Sequence, residues 1–249
     1  MLKQVVSSFL AALAALVLVA GSAATSAQPP ELNTGFANVT TTDGSDCGSG
    51  SGSYCFGSFW GIGDLKATVA GNTNTLQPNF NTYNDNPGNA YWRNNGGAGP
   101  LGNKIFEGSL FYEQPIPAGA TTMEFNGTVD ANTIDAGYAV EAFVTVNPAV
   151  FPPPATQVDV IAAADATFSI SLDVSAFAGL PVQAGFRVRG VNANPADEGA
   201  LGSVVTTVAQ LEAVVPPPPP GPTPVPALPL WGLLGLVGLI GFLGLRRRA

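Results

Sequence analysis

The segment TFSISLDV at residues 167–174 alternates apolar and polar side chains without interruption. Its apolar members fall at every second position: Phe168, Ile170, Leu172 and Val174. Successive side chains of a β-strand point to opposite faces of the sheet. The segment therefore predicts a strand with one buried face and one solvated face.

The same period recurs on both sides of this segment, bounded by Gly, Asn, Asp and Pro. Clear alternation predicts strands at residues 121–129, 138–146, 182–191 and 204–214, and weaker alternation at residues 36–42, 59–69, 104–112 and 157–162. No window shows a sustained helical period. The pattern predicts an all-β domain, an antiparallel β-sandwich of jelly-roll type.

Local signals refine this prediction. Gly-containing turn signals occur at residues 125–127 and 135–137. Within residues 185–189 the apolar side chains are predicted to point inward and Arg187 and Arg189 outward, onto a solvated face or toward a carboxylated glycan.

The composition excludes several classes of function. Histidine is absent, which rules out Ser-His-Asp and Cys-His nucleophile systems and His-ligated metal sites. Between Glu31 and Glu212 there are seventeen acidic and five basic residues, a net charge of −12. Such a domain repels phosphate backbones, so we expect no nucleic-acid partner. A carboxylate pair is the remaining route to catalysis, and no motif marks one, so we expect no enzyme activity.

Two cysteines, Cys47 and Cys55, enclose a Gly- and Ser-rich segment. In an exported chain this close pair predicts a disulfide. A zinc site is the weaker interpretation, since two thiols without histidine or a second cysteine pair leave the metal shell incomplete.

The least strand-like region is residues 72–102, which is rich in Asn and Gly and carries several aromatic residues. Sugar rings stack on aromatic faces, and carboxamides and carboxylates bind their hydroxyl groups. This chemistry predicts a candidate glycan site at Tyr91, Trp92, Asn94, Asn95 and Asp85. The alternative is a loop whose aromatic residues fold back onto the core.

Acidic turns at residues 84–86 and 197–198, together with Asp43 and Asp46, supply the oxygen ligands that Ca²⁺ prefers. Their spacing matches neither an EF-hand nor a nonapeptide repeat. We expect no cofactor, with a structural calcium ion as the alternative that these residues leave open.

The two ends of the chain predict export. Residues 1–27 combine Lys3, an apolar run and a small-residue region that ends at Ala27, which is typical of a signal peptide cleaved there. At the other end, residues 228–245 are apolar and are followed by three arginines. This run predicts a transmembrane helix whose basic end stays in the cytoplasm, which places the preceding domain outside. Residues 216–226 are Pro-rich and predict an extended stalk.

The segment VPALPLWG at residues 225–232, with the apolar run and the terminal arginines, resembles the PEP-CTERM class of exosortase sorting signals. It is most similar to the IPTL-CTERM variant and departs from it at residues 227 and 229–230. The matched positions are Pro226, Leu228, Trp231 and Gly232, with Val225 as a conservative replacement for Ile, and the tail ends in Arg246, Arg247 and Arg248. The resemblance implies an exosortase-type transpeptidase that cuts near residues 225–228, and an association with exopolysaccharide and biofilm.

The predicted organisation is a signal peptide (1–27), an extracellular β-sandwich domain (28–215), a stalk (216–226) and a sorting signal (227–249). Signal peptidase and the Sec machinery are then partners, and the inner membrane holds the precursor transiently through its C-terminal helix. The predicted function is a non-enzymatic cell-surface or extracellular-matrix protein. The first alternative is a lectin like a carbohydrate-binding module, with polysaccharide as its partner, and the second is a small glycan hydrolase or lyase.

We expect the mature protein to lack both residues 1–27 and the apolar tail. The measurement is the intact mass of the protein purified from its native host. A main species that still carries the cluster of Arg246 to Arg248 would contradict the processing prediction.

Overall fold

The computed structural model describes residues 29–48, 52–85, 91–93, 101–149, 153–161, 164 and 166–219. The predicted signal peptide, the sorting motif with its arginines, Asn94 and Asn95 lie outside the described residues. Contacts divide the chain into Met1–Val215 and Pro216–Ala249, and the described part of the second unit is limited to residues 216–219, which are exposed. None of the helices in the described ranges is long and apolar enough to cross a membrane.

The described residues form eleven strands, one short α-helix and three single 3-10 turns. The strands are β1 (Thr34–Thr41), β2 (Tyr54–Trp60), β3 (Ala67–Ala70), β4 (Thr73–Leu76), β5 (Leu101–Pro115), β6 (Thr122–Asn132), β7 (Ala139–Val146), β8 (Ala155–Val160), β9 (Thr167–Asp173), β10 (Pro181–Ala193) and β11 (Val204–Val214). The helix is α1 (Glu198–Leu201), and the 3-10 turns lie at Gly63–Leu65, Asn81–Asn84 and Pro195–Asp197.

The strands build two antiparallel sheets. A six-stranded sheet has the order β2-β1-β5-β10-β7-β8, and a five-stranded sheet has the order β3-β4-β11-β6-β9. The pairings within both are antiparallel. The all-β antiparallel two-sheet sandwich is therefore confirmed, and the five segments with clear alternation become β6, β7, β9, β10 and β11.

Two predicted segments were wrong in their bounds. Residues 59–69 do not form one strand, because β2 ends at Trp60 and a 3-10 turn precedes β3. Lys66 at the end of that turn has φ 60°, a left-handed conformation that reverses the chain. Residues 72–102 are not one long loop, because they contain β4, which pairs with β3 and β11.

The predicted turn at residues 125–127 is also wrong, since these residues lie inside β6. A Cβ atom at Gly127 would collide with the carbonyl oxygen of Thr207 and with the ring of Phe168. Glycine is needed here for the close approach of two neighbouring strands, and a register shift in β11 opposite it marks the irregularity. The signal at residues 135–137 is a true turn, in which the Tyr138 amide donates to the Asp135 carbonyl at 3.0 Å.

The core lies between the sheets and is fixed by three aromatic rings. Phe186 of the six-stranded sheet contacts Phe125 and Phe168 of the five-stranded sheet, with ring centroids 5.2 and 5.1 Å away. All three side chains are buried, and so are Ile170 and Val174. The predicted inner face of residues 167–174 is therefore confirmed.

The outer face of the six-stranded sheet carries the predicted arginines, and both are paired with carboxylates. Arg187 donates through Nε to Glu141 at 2.6 Å, and its guanidinium lies 5.5 Å from the ring centroid of Phe143. Arg189 lies 3.8 Å from Glu107. The cross-strand register creates both pairs.

The ring contacts across the core predict a large effect of truncation. Phe186→Ala should lower the free energy of unfolding by about 3–5 kcal/mol, because it removes a buried ring and leaves a cavity. The measurement is a urea unfolding curve on the purified protein. Val160→Ala on β8 is the control, since Val160 is 63% exposed and its truncation should change stability by less than about 0.5 kcal/mol. Equal losses in both variants would contradict the assignment of the core.

Candidate functional site

The predicted disulfide between Cys47 and Cys55 is confirmed, and it closes the hairpin between β1 and β2 with its Cα atoms 5.1 Å apart. The hairpin also contains a register shift between Val39 and Thr40. Because of this shift, Tyr54 pairs with Thr40 and lies on the outer face, whereas Phe56 pairs with the inward Val39.

The outer face at this edge of the six-stranded sheet holds exposed aromatic side chains. Phe59 is 72% exposed and Tyr54 is 44% exposed. The Phe59 ring meets the Phe36 ring edge-on at 5.2 Å. A Cβ atom at Gly57 would lie 2.5 Å from the Tyr54 hydroxyl and 3.0 Å from the Phe36 ring, so the missing side chain makes room for both. We call Phe36, Tyr54 and Phe59 the aromatic surface.

Beside Phe59 the structure has an open depression of about 590 Å³. Its lining consists of Phe59, Trp60, Gly61, Asp64, Asn81 and Asp85. It lies where the chain leaves β2 in one sheet and crosses to β3 in the other. The Trp60 ring is anchored, since Nε1 donates to the Ser58 hydroxyl at 2.7 Å and the ring contacts Phe106 at 5.3 Å.

Buried polar side chains hold the two loops that form the floor of the depression. Asn79, which is 5% exposed, donates to the Asp64 carbonyl at 3.1 Å and accepts from the amide and the hydroxyl of Thr82. Asn81 donates to the same Asp64 carbonyl at 3.1 Å. The turn at Gly63–Leu65 and the turn at Asn81–Asn84 are thereby fixed to each other.

The depression combines an exposed aromatic ring with two carboxylates and a carboxamide. Aromatic faces stack on the C–H faces of a sugar ring, and the oxygen and nitrogen atoms of Asp and Asn bind hydroxyl groups. Its volume lies within the range of small-molecule sites. This arrangement can bind a polar ring compound from solvent without closing over it.

Of the residues predicted for glycan binding, Asp85 lines the depression, whereas Tyr91 and Trp92 do not. Trp92 is 9% exposed and belongs to the core, where its ring contacts Phe56 and Tyr91. Its carbonyl oxygen accepts from the side chain of Asn192 at 3.0 Å. In this position the Trp92 ring has little open face for a sugar.

Tyr91 connects the disulfide hairpin to β5. Its hydroxyl lies 3.9 Å from the sulfur of Cys47, and the Lys104 ammonium lies 4.7 Å from its ring centroid. Burial raises the pKa of the Tyr91 hydroxyl above its usual value. These contacts describe a packing role for Tyr91.

Among the described residues, no three Asp, Glu, Cys or His side chains form a group that could hold a metal ion. The acidic turns considered as calcium ligands therefore do not converge there. Asp43 instead accepts from the hydroxyl and the amide of Ser45, at 2.6 and 3.0 Å. The hydroxyl hydrogen bond is the larger cause that lowers the pKa of Asp43. Asp46 accepts from the Gly48 amide at 3.0 Å.

Sequence reasoning missed Phe59, Trp60, Asp64 and Asn81. A signal was present, because residues 54–60 contain four aromatic side chains in seven positions. A strand that alternates faces cannot bury all of them on one side.

No protein-family model and no curated protein matches the sequence. Three solved structures are similar at a low level. The carbohydrate-binding module TmCBM61 in complex with β-1,4-galactotriose is 8% identical, with a TM-score of 0.27 over 56% of this chain and 67% of that one. Xylanase10C from Cellvibrio japonicus in complex with xylopentaose is 12% identical, with a TM-score of 0.32 over 74% of this chain and 28% of that one.

The third structure comes from work on carbohydrate-binding modules of the β-sandwich superfamily. It is 10% identical, with a TM-score of 0.29 over 75% of this chain and 86% of that one. At TM-scores this low, none of the three assigns this chain to a family or transfers a ligand to it.

Substitutions of Trp92 and Phe59 distinguish a packing role from a surface role. Trp92→Ala should lower the free energy of unfolding by about 3–5 kcal/mol, because a buried ring is lost. Phe59→Ala should change it by less than about 0.5 kcal/mol, because the ring is exposed. Thermal and urea unfolding measure both. A stable Trp92→Ala protein that no longer binds polysaccharide would instead support the loop site predicted from the sequence.

Proposed function

We propose that this chain is an exported, non-enzymatic cell-surface or extracellular-matrix protein whose sandwich, of jelly-roll type, binds polysaccharide in the depression beside Phe59. The observation that carries the proposal is the 72% exposure of Phe59 at the rim of a depression that also presents Asp64, Asn81 and Asp85. An exposed aromatic ring beside polar groups gains free energy when a ligand covers it. Covering such a ring contributes about 1.5–3 kcal/mol.

The rigidity of the floor supports binding. Asn79 and Asn81 both hold the Asp64 carbonyl, and Thr82 is completely buried beneath them. Because these loops are fixed before a ligand arrives, little conformational entropy is lost on binding. The aromatic surface continues from Phe59 to Phe36 and Tyr54, which gives a longer saccharide further rings to contact.

Two carboxylates in one depression are also the minimum that glycoside hydrolysis requires. Asp64 and Asp85 are both exposed, and the depression is open. A general acid of a hydrolase needs an apolar, water-excluding setting that keeps its proton on. Binding without cleavage is therefore the function that this geometry supports best.

Export and polysaccharide association follow from the ends of the chain. A signal peptide and an exosortase-type tail place the domain outside the cytoplasm, and the disulfide of Cys47 and Cys55 suits an oxidising compartment. Proteins with such tails accompany exopolysaccharide systems, so polysaccharide is the partner in the expected location. After cleavage of the tail, the protein belongs to the cell surface or the matrix.

The proposal predicts that Phe59→Ala weakens binding without unfolding the protein. A glycan array identifies a bound oligosaccharide, and titration calorimetry then compares wild type with the variant. Loss of one stacked ring should weaken binding at least about tenfold, since stacking contributes more than about 1.4 kcal/mol. The reducing ends are counted in the same samples to detect cleavage.

Val160→Ala is the matched control, because Val160 is an exposed apolar residue on the opposite edge of the same sheet. It should bind like wild type. An array with no bound glycan, or undiminished binding by Phe59→Ala, would contradict the proposed site. Release of reducing ends that depends on Asp64 or Asp85 would replace binding with hydrolysis.

A further inference from the structure

We infer that the depression selects a cationic glycan, one whose sugar rings carry protonated amino groups. This inference rests on the proposed function and adds the charge class of the ligand. It follows from the carboxylates of Asp64 and Asp85 and from the positions of the five basic residues of the domain.

The two carboxylates of the depression are available to a ligand. Hydrogen bonds to Asp64 from Asn79 and Asn81 are made to its backbone carbonyl, not to its carboxylate. Within the described part of the chain, no hydrogen bond or ion pair engages the carboxylate of Asp64 or of Asp85. Both side chains are exposed.

The two basic residues nearest in sequence are held by other groups. The Lys66 ammonium lies 3.4 Å from Glu198 and 5.5 Å from the Phe80 ring centroid. Arg93 lies over the Tyr83 ring at 5.3 Å and donates to the Asn84 side chain at 3.3 Å. Neither forms an ion pair with a carboxylate of the depression.

The other three basic residues are engaged as well. Arg187 and Arg189 pair with Glu141 and Glu107, and Lys104 lies against the Tyr91 ring. The outer-face arginines thus already have carboxylate partners within the protein. The segment between Glu31 and Glu212 has a net charge of −12, which also favours a cationic over an anionic ligand.

The chemistry of the lining matches an amino sugar. A carboxylate only accepts hydrogen bonds and an ammonium group only donates them, so the two are complementary without an unsatisfied partner. The exposed Phe59 ring adds a cation–π attraction for a nearby ammonium group. A uronic acid in the same position meets two carboxylates of like charge and is repelled.

The test compares two ligands that differ at a single group. A hexamer of β-1,4-linked glucosamine and cellohexaose have the same linkage, and the first has an ammonium group where the second has a hydroxyl group. Titration calorimetry on the protein purified from its host, in mildly acidic low-salt buffer, gives both affinities. Two exposed charge pairs should favour the glucosamine hexamer about tenfold, and added salt should reduce this preference.

Charge-neutral variants separate local attraction from the overall negative charge. Asp64→Asn and Asp85→Asn keep shape and should bring the ratio of the two affinities toward one. Glu212→Gln on β11 removes the same charge from an exposed position on the other sheet and should leave the ratio unchanged. Urea unfolding checks that all three variants stay folded.

Equal wild-type affinity for the two hexamers would overturn the inference and leave the proposed function standing. An unchanged ratio in both aspartate variants would overturn it as well. If neither hexamer binds, the cationic class is wrong. That outcome by itself leaves the proposed function standing, because an empty glycan array or undiminished binding by Phe59→Ala is what contradicts the proposed function.

Discussion

The packing of side chains between the two sheets is the constraint on which the rest of this molecule depends. Phe186 is buried because Phe125 and Phe168 meet it from the other sheet. Because the side-chain period of a strand is two, this inner layer also determines which residues face outward. An outward residue needs solvent, a partner on a neighbouring strand, or a ligand.

Most outward residues of the six-stranded sheet satisfy this requirement internally. Arg187 and Arg189 find Glu141 and Glu107 across the strands, and Asn38 donates to Glu107 at 3.2 Å. The aromatic surface meets this requirement only in part, since Phe59 contacts the Phe36 ring at 5.2 Å and is still 72% exposed. An edge strand with exposed apolar side chains invites association. In the proposed function, a stacked saccharide covers the exposed ring without a second protein chain.

The sequence predicted the fold where local pattern and tertiary packing agree. Residues 204–214 are predicted as a strand, and β11 has the same bounds. The glycine signals at residues 125–127 and 135–137 look alike in sequence, yet only the second is a turn. The difference lies in Thr207 and Phe168, which approach Gly127 from strands distant in sequence. β4 escaped prediction because its inward position Asn74 is polar although it is 1% exposed.

The candidate site shows a sharper limit of sequence reasoning, because exposure is a tertiary property. Aromatic content alone pointed to Trp92, whose ring is covered by the disulfide hairpin and its neighbours. Phe59, in contrast, lay in a segment that was predicted as an ordinary strand. Strict alternation through residues 54–60 assigns Tyr54 to the same face as Phe56 and Trp60. The register shift beside Cys55 turns Tyr54 to the outer face instead. A single bulged residue, which the disulfide holds in place, thus changes the face of the sheet on which Tyr54 lies. This change decides whether the aromatic surface has two rings or three.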